Sequence, residues 1–298
     1  MDLKSYIASK KPIFLDGGMG TQLIKRGIEP GALPNITCPE VIEDIQREYL
    51  QAGSDIITTN TFILNRIYLE THNIDIDRAE AVKVGVNIAK SVCKEDNYVL
   101  GDIGQTGQML EPYGTCTEEQ FYNAFKEQAQ IMADSGVDGF IIETQSDLRE
   151  ALCALRACKS ISQLPVIISF VFSKNPRGFV TMMGNFLGDC VEQAVQQGAD
   201  VVGANCGDLD PLEMAEVVAA MKHISKVPII IQPNAGKPKL VDSKTVYDMP
   251  PEIFAEGIKK CIEAGAQLVG GCCGTTPEHM AKVKEVINRD KLRSSASY

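Results

Sequence analysis

Tryptophan is absent from this chain, histidine occurs 3 times, and aromatic side chains make up only 6% of its 298 residues. Basic side chains are also in deficit, with 29 Lys and Arg against 39 Asp and Glu and a formal net charge of -10. Nucleic acids and anionic membrane surfaces both favour a basic face, so we expect neither as a partner. No run approaches the roughly 20 apolar residues of a membrane-spanning helix, and residues 1–12 carry no signal-peptide core. We therefore expect a cytoplasmic protein.

Eight short apolar runs recur along the chain, and amphipathic stretches lie between them. The runs are Ile13–Met19, Ser54–Phe62, Tyr98–Thr106, Gly139–Ser146, Pro165–Phe172, Asp200–Cys206, Pro228–Gly236 and Gln267–Thr275. The helical stretches include Pro39–Ala52, Asp77–Lys94, Thr117–Ser135, Pro211–His223 and Pro251–Ala264. Eight strand–helix units with short connections predict an α/β fold, a single (β/α)8 TIM barrel over residues 1–288, with a flexible tail over residues 289–298. A doubly wound open sheet is the alternative, but the sequence has no dinucleotide fingerprint.

Local signals mark several helix ends. Thr117 followed by Gln120 predicts a capping box, and Asp210-Pro211 and Thr276-Pro277 place a capping residue before a first-turn proline. Turns such as Gly136-Val137-Asp138 and Gly198-Ala199-Asp200 lead from a helix into the next strand, and glycine there fits a left-handed cap. A barrel carries its chemistry at the C-terminal ends of its strands, where polar and sulfur-bearing residues replace aliphatic ones in this sequence.

Ten cysteines are present, which in a reducing compartment should be free thiols. Cys272 and Cys273 are adjacent at the end of the eighth strand, where glycines allow the backbone to turn, and Cys206 ends the sixth. Three thiolates with one exchangeable position fit a zinc site that binds substrate. The alternative is that all three are small buried hydrophobic residues. We interpret the other seven cysteines as packing residues: Cys38, Cys93, Cys116, Cys153, Cys158, Cys190 and Cys261.

Two carboxylates stand at the exits of the first and fourth strands, Asp16 and Glu143. Such a pair can serve as a general acid and base, or it can hold the ammonium group of a substrate. Alternatively, Asp16 organises the turn of Gly17 and Gly18, and Glu143 caps the next helix.

Three asparagines also stand at strand exits, Asn60, Asn205 and Asn234. They either orient substrate or satisfy loop backbone, and the amide oxygen of Asn234 is a further candidate for the fourth zinc position. His72 and His223 fall on helix-side segments, and His279 falls in the first turn of a helix, where packing or capping is expected. A phosphate site at the eighth strand is disfavoured because the cysteines occupy that space.

Five segments together resemble the homocysteine S-methyltransferase family: LDGGMGTQL (15–23), CPEVI…YLQAGSDIITTNTF (38–62), GANC (203–206), PNAG (233–236) and GGCCGTTPEH (270–279). The resemblance runs from about residue 12 to 288. It implies a homocysteine-binding (β/α)8 barrel in which Cys206, Cys272 and Cys273 bind zinc and the zinc binds the homocysteine thiol. It also implies that Asp16 and Glu143 hold the ammonium group of the amino acid.

Within that family, PNAG and GGCCGTTPEH are most similar to the homocysteine-binding module of cobalamin-dependent methionine synthase. No D-x-H-x-x-G stretch is present, so we expect no cobalamin site in this chain and a methyl-corrinoid donor on a separate protein. A small methylated sulfonium or ammonium compound is the second candidate donor. Asp208 and Asp210 make the loop after GANC more acidic than is usual in the family, which leaves the donor and the partner open.

The expected reaction is methyl transfer to homocysteine, giving methionine. A free thiol is mostly protonated at neutral pH, whereas coordination to zinc holds it as the nucleophilic thiolate. The product thioether is neutral and a poor ligand. Two alternatives keep the same site: a substrate:corrinoid methyltransferase that runs methyl flow in reverse, and a non-catalytic subunit that binds zinc or a corrinoid protein. An ammonium clamp at Asp16 and Glu143 favours the first reaction, since it serves only an amino-acid substrate.

Overall fold

A computed structural model describes residues 1–9, 12–242 and 244–295. Eight parallel strands form one sheet in the order β1-β12-β9-β8-β5-β4-β3-β2, which returns to its starting point around a barrel. The strands are β1 (Ile13–Phe14), β2 (Ile56–Thr58), β3 (Tyr98–Ile103), β4 (Gly139–Gln145), β5 (Val166–Phe170), β8 (Val201–Asn205), β9 (Ile229–Gln232) and β12 (Leu268–Val269). Two antiparallel hairpins leave the barrel, β6 (Ser173–Asn175) with β7 (Gly178–Val180) and β10 (Lys239–Val241) with β11 (Lys244–Val246). The predicted single (β/α)8 barrel is confirmed.

Helices surround the sheet. They are α1 (Leu3–Ala8), α2 (Met19–Lys25), α3 (Pro34–Thr37), α4 (Pro39–Gln51), α5 (Arg66–Thr71), α6 (Arg78–Val92), α7 (Glu118–Asp134), α8 (Leu148–Ile161), α9 (Leu187–Gln196), α10 (Pro211–Lys222), α11 (Pro251–Ala264) and α12 (Pro277–Ser295). Within the described residues, none of them combines the length and apolarity needed to cross a membrane. α12 continues to Ser295, and residues 296–298 of the predicted tail lie outside the described residues, so its flexibility stays a prediction.

Capping signals read from the sequence are present in the structure. Thr117 accepts from the backbone of Gln120 while the Gln120 side chain accepts from Thr117, which completes the capping box of α7. Asp210 and Glu213 form the same reciprocal pair at the start of α10. These bonds satisfy N–H groups that the first helical turn leaves without partners.

Aspartates at the start of alternate barrel strands clamp the strand beside them. Asp55, Asp138 and Asp200 each donate their own N–H to a carbonyl of the neighbouring strand, at 2.7, 2.8 and 2.9 Å. Each carboxylate also accepts the N–H of that same neighbouring residue, Phe14, Val99 or Val166, at 2.8–3.0 Å. The glycine turns noted in the sequence bring each aspartate into this position. The motif therefore holds strand register at the N-terminal end of the barrel.

The seam between β1 and β2 is closed differently from the other seven. No strand ladder joins these two strands in the described part of the chain. Asp55 bridges the seam at one end, and at the other end the carboxylate of Asp16 accepts the N–H of Thr58 at 2.7 Å. A side chain that lies at the barrel mouth is thus part of the barrel wall.

The barrel interior has two layers. Successive strand residues point to opposite faces, so residues two positions apart share the inward face and lie in successive layers. The lower layer is apolar and is sealed from below by α1 through Leu3 and Ile7. Its strand members are Ile13, Leu15, Ile56, Tyr98, Leu100, Ile141, Ile167, Val201, Ile230 and Leu268. Two residues further along the strands, the same face carries Thr58, Asp102, Glu143, Ser169, Gly203 and Gln232. The interior therefore changes from hydrocarbon to polar groups just below the mouth.

Candidate metal and substrate site

A cavity of about 400 Å³ opens at the C-terminal ends of the barrel strands. Its floor includes the polar layer of the barrel, among it Thr58, Asp102, Glu143 and Gln232. Cys206, Cys272 and Cys273 also line the cavity, and its aromatic lining residues include Phe62 and Tyr68. Chemistry at this end of the barrel is the position that the fold predicts.

The structure brings the three predicted thiols together. The sulfur atoms of Cys206, Cys272 and Cys273 all lie within 4.8 Å of one another. The backbone fixes two of them, since Cys206 N donates to Gln232 O at 3.1 Å and Cys272 N donates to Pro233 O at 2.9 Å. Tetrahedral zinc with sulfur ligands requires a sulfur–sulfur separation of about 3.8 Å, which is compatible with the upper limit of 4.8 Å in this cluster. The donor set therefore fits zinc.

Backbone conformation at the cluster is specialised. Cys206 has a φ of 58°, in the left-handed region that non-glycine residues rarely occupy. Gly274, directly after the cysteine pair, has a φ of 79°, and a Cβ there would lie 2.2 Å from the Cβ of Tyr247. Hydrogen bonds from Cys206 and Cys272, and one from Tyr247, lower the pKa of Cys273. Unusual backbone conformations of this kind recur at functional sites, which is consistent with the prediction that this cluster binds a metal.

Asp16 lies at the mouth with 3% of its surface exposed. One carboxylate oxygen accepts from Thr58 N at 2.7 Å and from Thr58 Oγ1 at 3.0 Å. The turn that follows is held instead by Thr275, whose hydroxyl accepts from Gly18 N. Burial raises the pKa of Asp16 to about 7. Among the described residues, no cationic side chain contributes to this pKa, so a ligand that brings a positive charge would favour the ionised carboxylate.

Glu143 lines the same cavity from the end of β4. The N-cap of the following helix α8 is Asp147, whose carboxylate accepts from Arg149 N. Burial raises the pKa of Glu143 to about 8, with further contributions from Cys206 and Asp16. The described residues that line the cavity include no lysine, arginine or histidine. Such a cavity is complementary to a ligand that brings its own cation.

Asp102 is a site residue that the sequence reasoning missed. It is 8% exposed, it lines the cavity, and its Oδ1 atom is buried with no hydrogen-bond partner in the described structure. A single acidic residue inside the apolar strand β3, two positions after the inward-facing Leu100, was the available signal. Burial raises the pKa of Asp102 well above its ordinary value, and Glu143 and Asp16 raise it further.

The asparagines take different positions. Asn60 lines the cavity and donates to Gly31 O at 2.8 Å and Asn35 Oδ1 at 2.9 Å. Asn234 lies outside the cavity lining and donates to Gly207 O at 2.8 Å, while its amide oxygen is buried and has no partner in the described residues. A substrate or metal role for Asn60 and Asn234 stays a prediction.

Asn205 is also outside the cavity lining, and it braces the end of β4. Its side chain accepts from Thr144 N at 2.9 Å and donates to Thr144 Oγ1 at 2.7 Å, and Ser169 donates to the same amide oxygen. Thr144 has a φ of 59° and follows Glu143. These contacts place Asn205 in support of the Glu143 turn, and its predicted contact with substrate stays untested.

The histidines and the remaining cysteines lie away from the thiol cluster. His279 is within hydrogen-bond distance of Thr276 Oγ1 and Met249 O, His72 stacks on Tyr68, and His223 is the C-cap of α10. Four of the seven cysteines interpreted as packing residues are fully buried, namely Cys153, Cys158, Cys190 and Cys261. The other three, Cys38, Cys93 and Cys116, are partly buried; Cys93 and Cys116 pack against the hydrophobic core, and a packing role for Cys38 stays a prediction.

Comparison with known proteins places this architecture in a family. A family model described as homocysteine S-methyltransferase matches residues 13–287. The chain belongs to the homocysteine S-methyltransferase family. The resemblance seen in the sequence is thereby confirmed, and with it, at the level of the family, the prediction of a methyltransferase.

Two curated relatives of this homocysteine S-methyltransferase family member are methionine synthases. The protein of Mycobacterium leprae (strain TN) is 32% identical over 295 residues, which cover 92% of this chain and 24% of that relative. The protein of Mycobacterium tuberculosis (strain ATCC 25618 / H37Rv) is 31% identical over 302 residues, 94% of this chain and 25% of that relative. The chain thus spans about a quarter of the length of these relatives.

Among solved structures, the metallated form of the homocysteine methyltransferase MmuM from Escherichia coli superposes with a TM-score of 0.79 at 20% identity, covering 95% of this chain and 99% of that one. The carboxyl transferase domain of Rhizobium etli pyruvate carboxylase matches with a TM-score of 0.55 at 13% identity, over 95% of this chain and 48% of that one. At these identities the likeness concerns the fold alone, which is a barrel shared by enzymes of different chemistry.

Proposed function

We propose that this protein transfers a methyl group to the sulfur of L-homocysteine and forms L-methionine, with Zn²⁺ held by Cys206, Cys272 and Cys273. The observation that carries the proposal is the juxtaposition of three thiols with the buried Asp16 and the half-buried Glu143 in a cavity whose described lining has no basic side chain. Homocysteine offers a thiol and an ammonium group, one for each half of this cavity. Membership of the homocysteine S-methyltransferase family supports the same substrate.

When bound, zinc supplies a Lewis acid that keeps the substrate sulfur deprotonated and nucleophilic at neutral pH. The chain itself supplies position and charge. Three thiolates carry one more negative charge than the ion balances, so the site keeps electron density on a fourth sulfur. Asp16 and Glu143 accept hydrogen bonds from the substrate ammonium, which fixes the direction from which the thiol enters. Phe62 and Tyr68 keep water away from that side of the cavity.

We propose a methyl-corrinoid held by a separate protein as the donor. Exposed apolar side chains occur in three loops that follow barrel strands: Tyr113 after β3 at 77%, Met182 after β5 at 81% and Leu240 after β9 at 79% exposure. These loops surround the cavity mouth, and exposed apolar surface there favours docking of a macromolecule over capture of a small ion. The similarity to about a quarter of each methionine synthase supports a methyl donor carried outside this barrel.

Zinc content and homocysteine titration test the proposal. The purified protein should contain one zinc ion per chain, and calorimetry should show that homocysteine binding releases one proton more than methionine binding, because only homocysteine has a thiol proton to lose. Cys206→Ser should lose the metal and the proton release while remaining folded, because Cys206 lies at the surface of the cavity and not in the core. Loaded protein given methylcobalamin, but not S-methylmethionine, should form methionine. A protein without zinc, or with zinc but without homocysteine binding, would contradict the proposal.

A further inference from the structure

The buried carboxylate of Asp102 has no role in the function proposed above. Its main chain is held firmly, because Asp102 N donates to Thr59 Oγ1 at 3.0 Å and Thr61 Oγ1 donates to Asp102 O at 2.8 Å. The two threonine hydroxyls are themselves 2.6 Å apart. The side chain, in contrast, points into the barrel with Oδ1 unpartnered among the described residues. Buried polar groups are almost always hydrogen-bonded, so an unpartnered one that lines a cavity calls for a ligand that donates.

Strand register puts this carboxylate beside the predicted ammonium clamp. Asp102 pairs with Ile141 across β3 and β4, and Glu143 is two residues further along the same face as Ile141. Asp16 lines the cavity with them. The charges of Glu143 and Asp16 raise the pKa of Asp102, as expected for carboxyl groups that line one cavity. Three acidic groups thus converge where no basic side chain is among the described lining residues.

We propose that Asp102 is a specificity-determining residue that accepts the third N–H of the substrate ammonium, so that Asp16, Glu143 and Asp102 select a primary ammonium group. A primary ammonium has three donors, and each carboxylate takes one of them. An N-methylated amine offers two and turns its methyl group towards a buried acceptor. This inference rests on the proposed function, because it takes homocysteine as the ligand of the cavity.

The experiment compares the dissociation constants of homocysteine and 4-sulfanylbutanoic acid, which lacks the amine, on zinc-loaded protein. Asp102→Asn should weaken homocysteine binding roughly 10- to 100-fold, as expected for loss of one charge-assisted hydrogen bond. It should leave the amine-free thiol and the zinc content unchanged. Asp138→Asn is the matched control, since it makes the same change at the opposite end of the same strand pair and should alter neither affinity.

A second measurement needs no variant and decides the question if Asp102→Asn does not fold. Wild-type protein should bind N-methylhomocysteine roughly tenfold more weakly than homocysteine, because one acceptor loses its donor. Equal affinity for the two amines, an unchanged homocysteine affinity in Asp102→Asn, or equal weakening of both thiols would overturn the role of Asp102. If wild-type protein binds neither thiol, the proposed function itself fails.

Discussion

Acidic side chains have different surroundings at the two ends of this barrel. At the N-terminal end, Asp55, Asp138 and Asp200 each accept a backbone N–H of the neighbouring strand. At the C-terminal end, Asp102 has an unpartnered oxygen and Glu143 faces the cavity. A hydrogen-bonded carboxylate stabilises the fold, whereas a buried carboxylate oxygen without a partner costs stability, which fits the ligand role proposed for the mouth. The hydrogen-bond partners of an acidic residue, and not its type, therefore distinguish the carboxylates that hold the barrel together from those proposed to bind a ligand.

The direction of the pKa shift also differs between Asp200 at the lower end and Asp16 and Glu143 at the mouth. Burial would raise the pKa of Asp200, but the N–H of Val166 and the ammonium of Lys159 outweigh it and lower the pKa below its ordinary value. Burial raises the pKa of Asp16 and Glu143 at the mouth. Ionisation of Asp200 at neutral pH therefore stabilises the fold, whereas ionisation of Asp16 and Glu143 opposes it.

Removing charge from the mouth should produce the largest effect, on binding. Glu143→Gln should raise the KM for homocysteine about 100-fold while zinc remains bound, because the ammonium loses a charged acceptor. Glu150→Gln is a suitable control: it makes the same change at a buried carboxyl of the upper end that does not line the cavity. Steady-state kinetics and zinc content of both variants check this. A Glu143→Gln enzyme with wild-type KM would refute the clamp.

Glu150 should also show how a raised pKa at the upper end changes the stability of the protein with pH. Its carboxylate accepts from Thr106 N at 2.6 Å, and burial raises its pKa from 4.5 to about 7. The folded protein then keeps a proton that the unfolded chain loses above pH 4.5, so this group's stability contribution is lost as pH rises through 7. Glu150→Gln keeps an acceptor for Thr106, and its stability relative to wild type should rise by about 2 kcal/mol between pH 5 and pH 8. Denaturant unfolding across that range measures it, and a constant difference would argue against the raised pKa.

Asp200 should have a smaller effect on stability than Glu150, with the opposite dependence on pH. Because its pKa is lowered in the fold, its stabilising contribution is present above the ordinary value of 3.8 and is lost as pH falls below it. Asp200→Asn should lose about 1 kcal/mol at pH 7, a modest figure because the side chain is partly exposed to solvent. The deficit should close as the pH approaches 3. If the deficit instead grew on acidification, the clamp would not act through its charge.

The frame of the molecule was predictable from the sequence because its signals are local. A capping box at Thr117 and glycine turns before alternate strands depend on a few adjacent residues, and the structure contains them. The strand exits could also be read from the sequence, since apolar runs end in polar residues. Convergence of Cys206 with Cys272 and Cys273 was predictable once eight strands had been counted, because barrel closure brings distant exits to one face.

Other parts of the site were not predictable because they depend on strand register and on side-chain partners. Asp102 looks like an ordinary strand residue until pairing with β4 places it below Glu143. Asn205 and Asn60 carry the same side chain at equivalent strand exits, yet one braces Thr144 and the other lines the cavity. Asp16 also bonds to Thr58 across the seam, a contact that joins residues 42 positions apart. Such contacts exist only after the barrel has closed.

The aspartate clamps have a consequence for how this barrel can be divided. They lie just before β2, β4 and β8. Gln267, just before β12, keeps the backbone half of the pattern by donating its N–H to Ile229 O at 2.9 Å. Its side chain turns to Ile7 O in α1, where the barrel floor is plugged. The floor thus repeats every two strands, so the natural building block is a two-strand, two-helix quarter. The described residues at the mouth do not follow this two-strand repeat. The same repeating floor can therefore support different sites at the mouth.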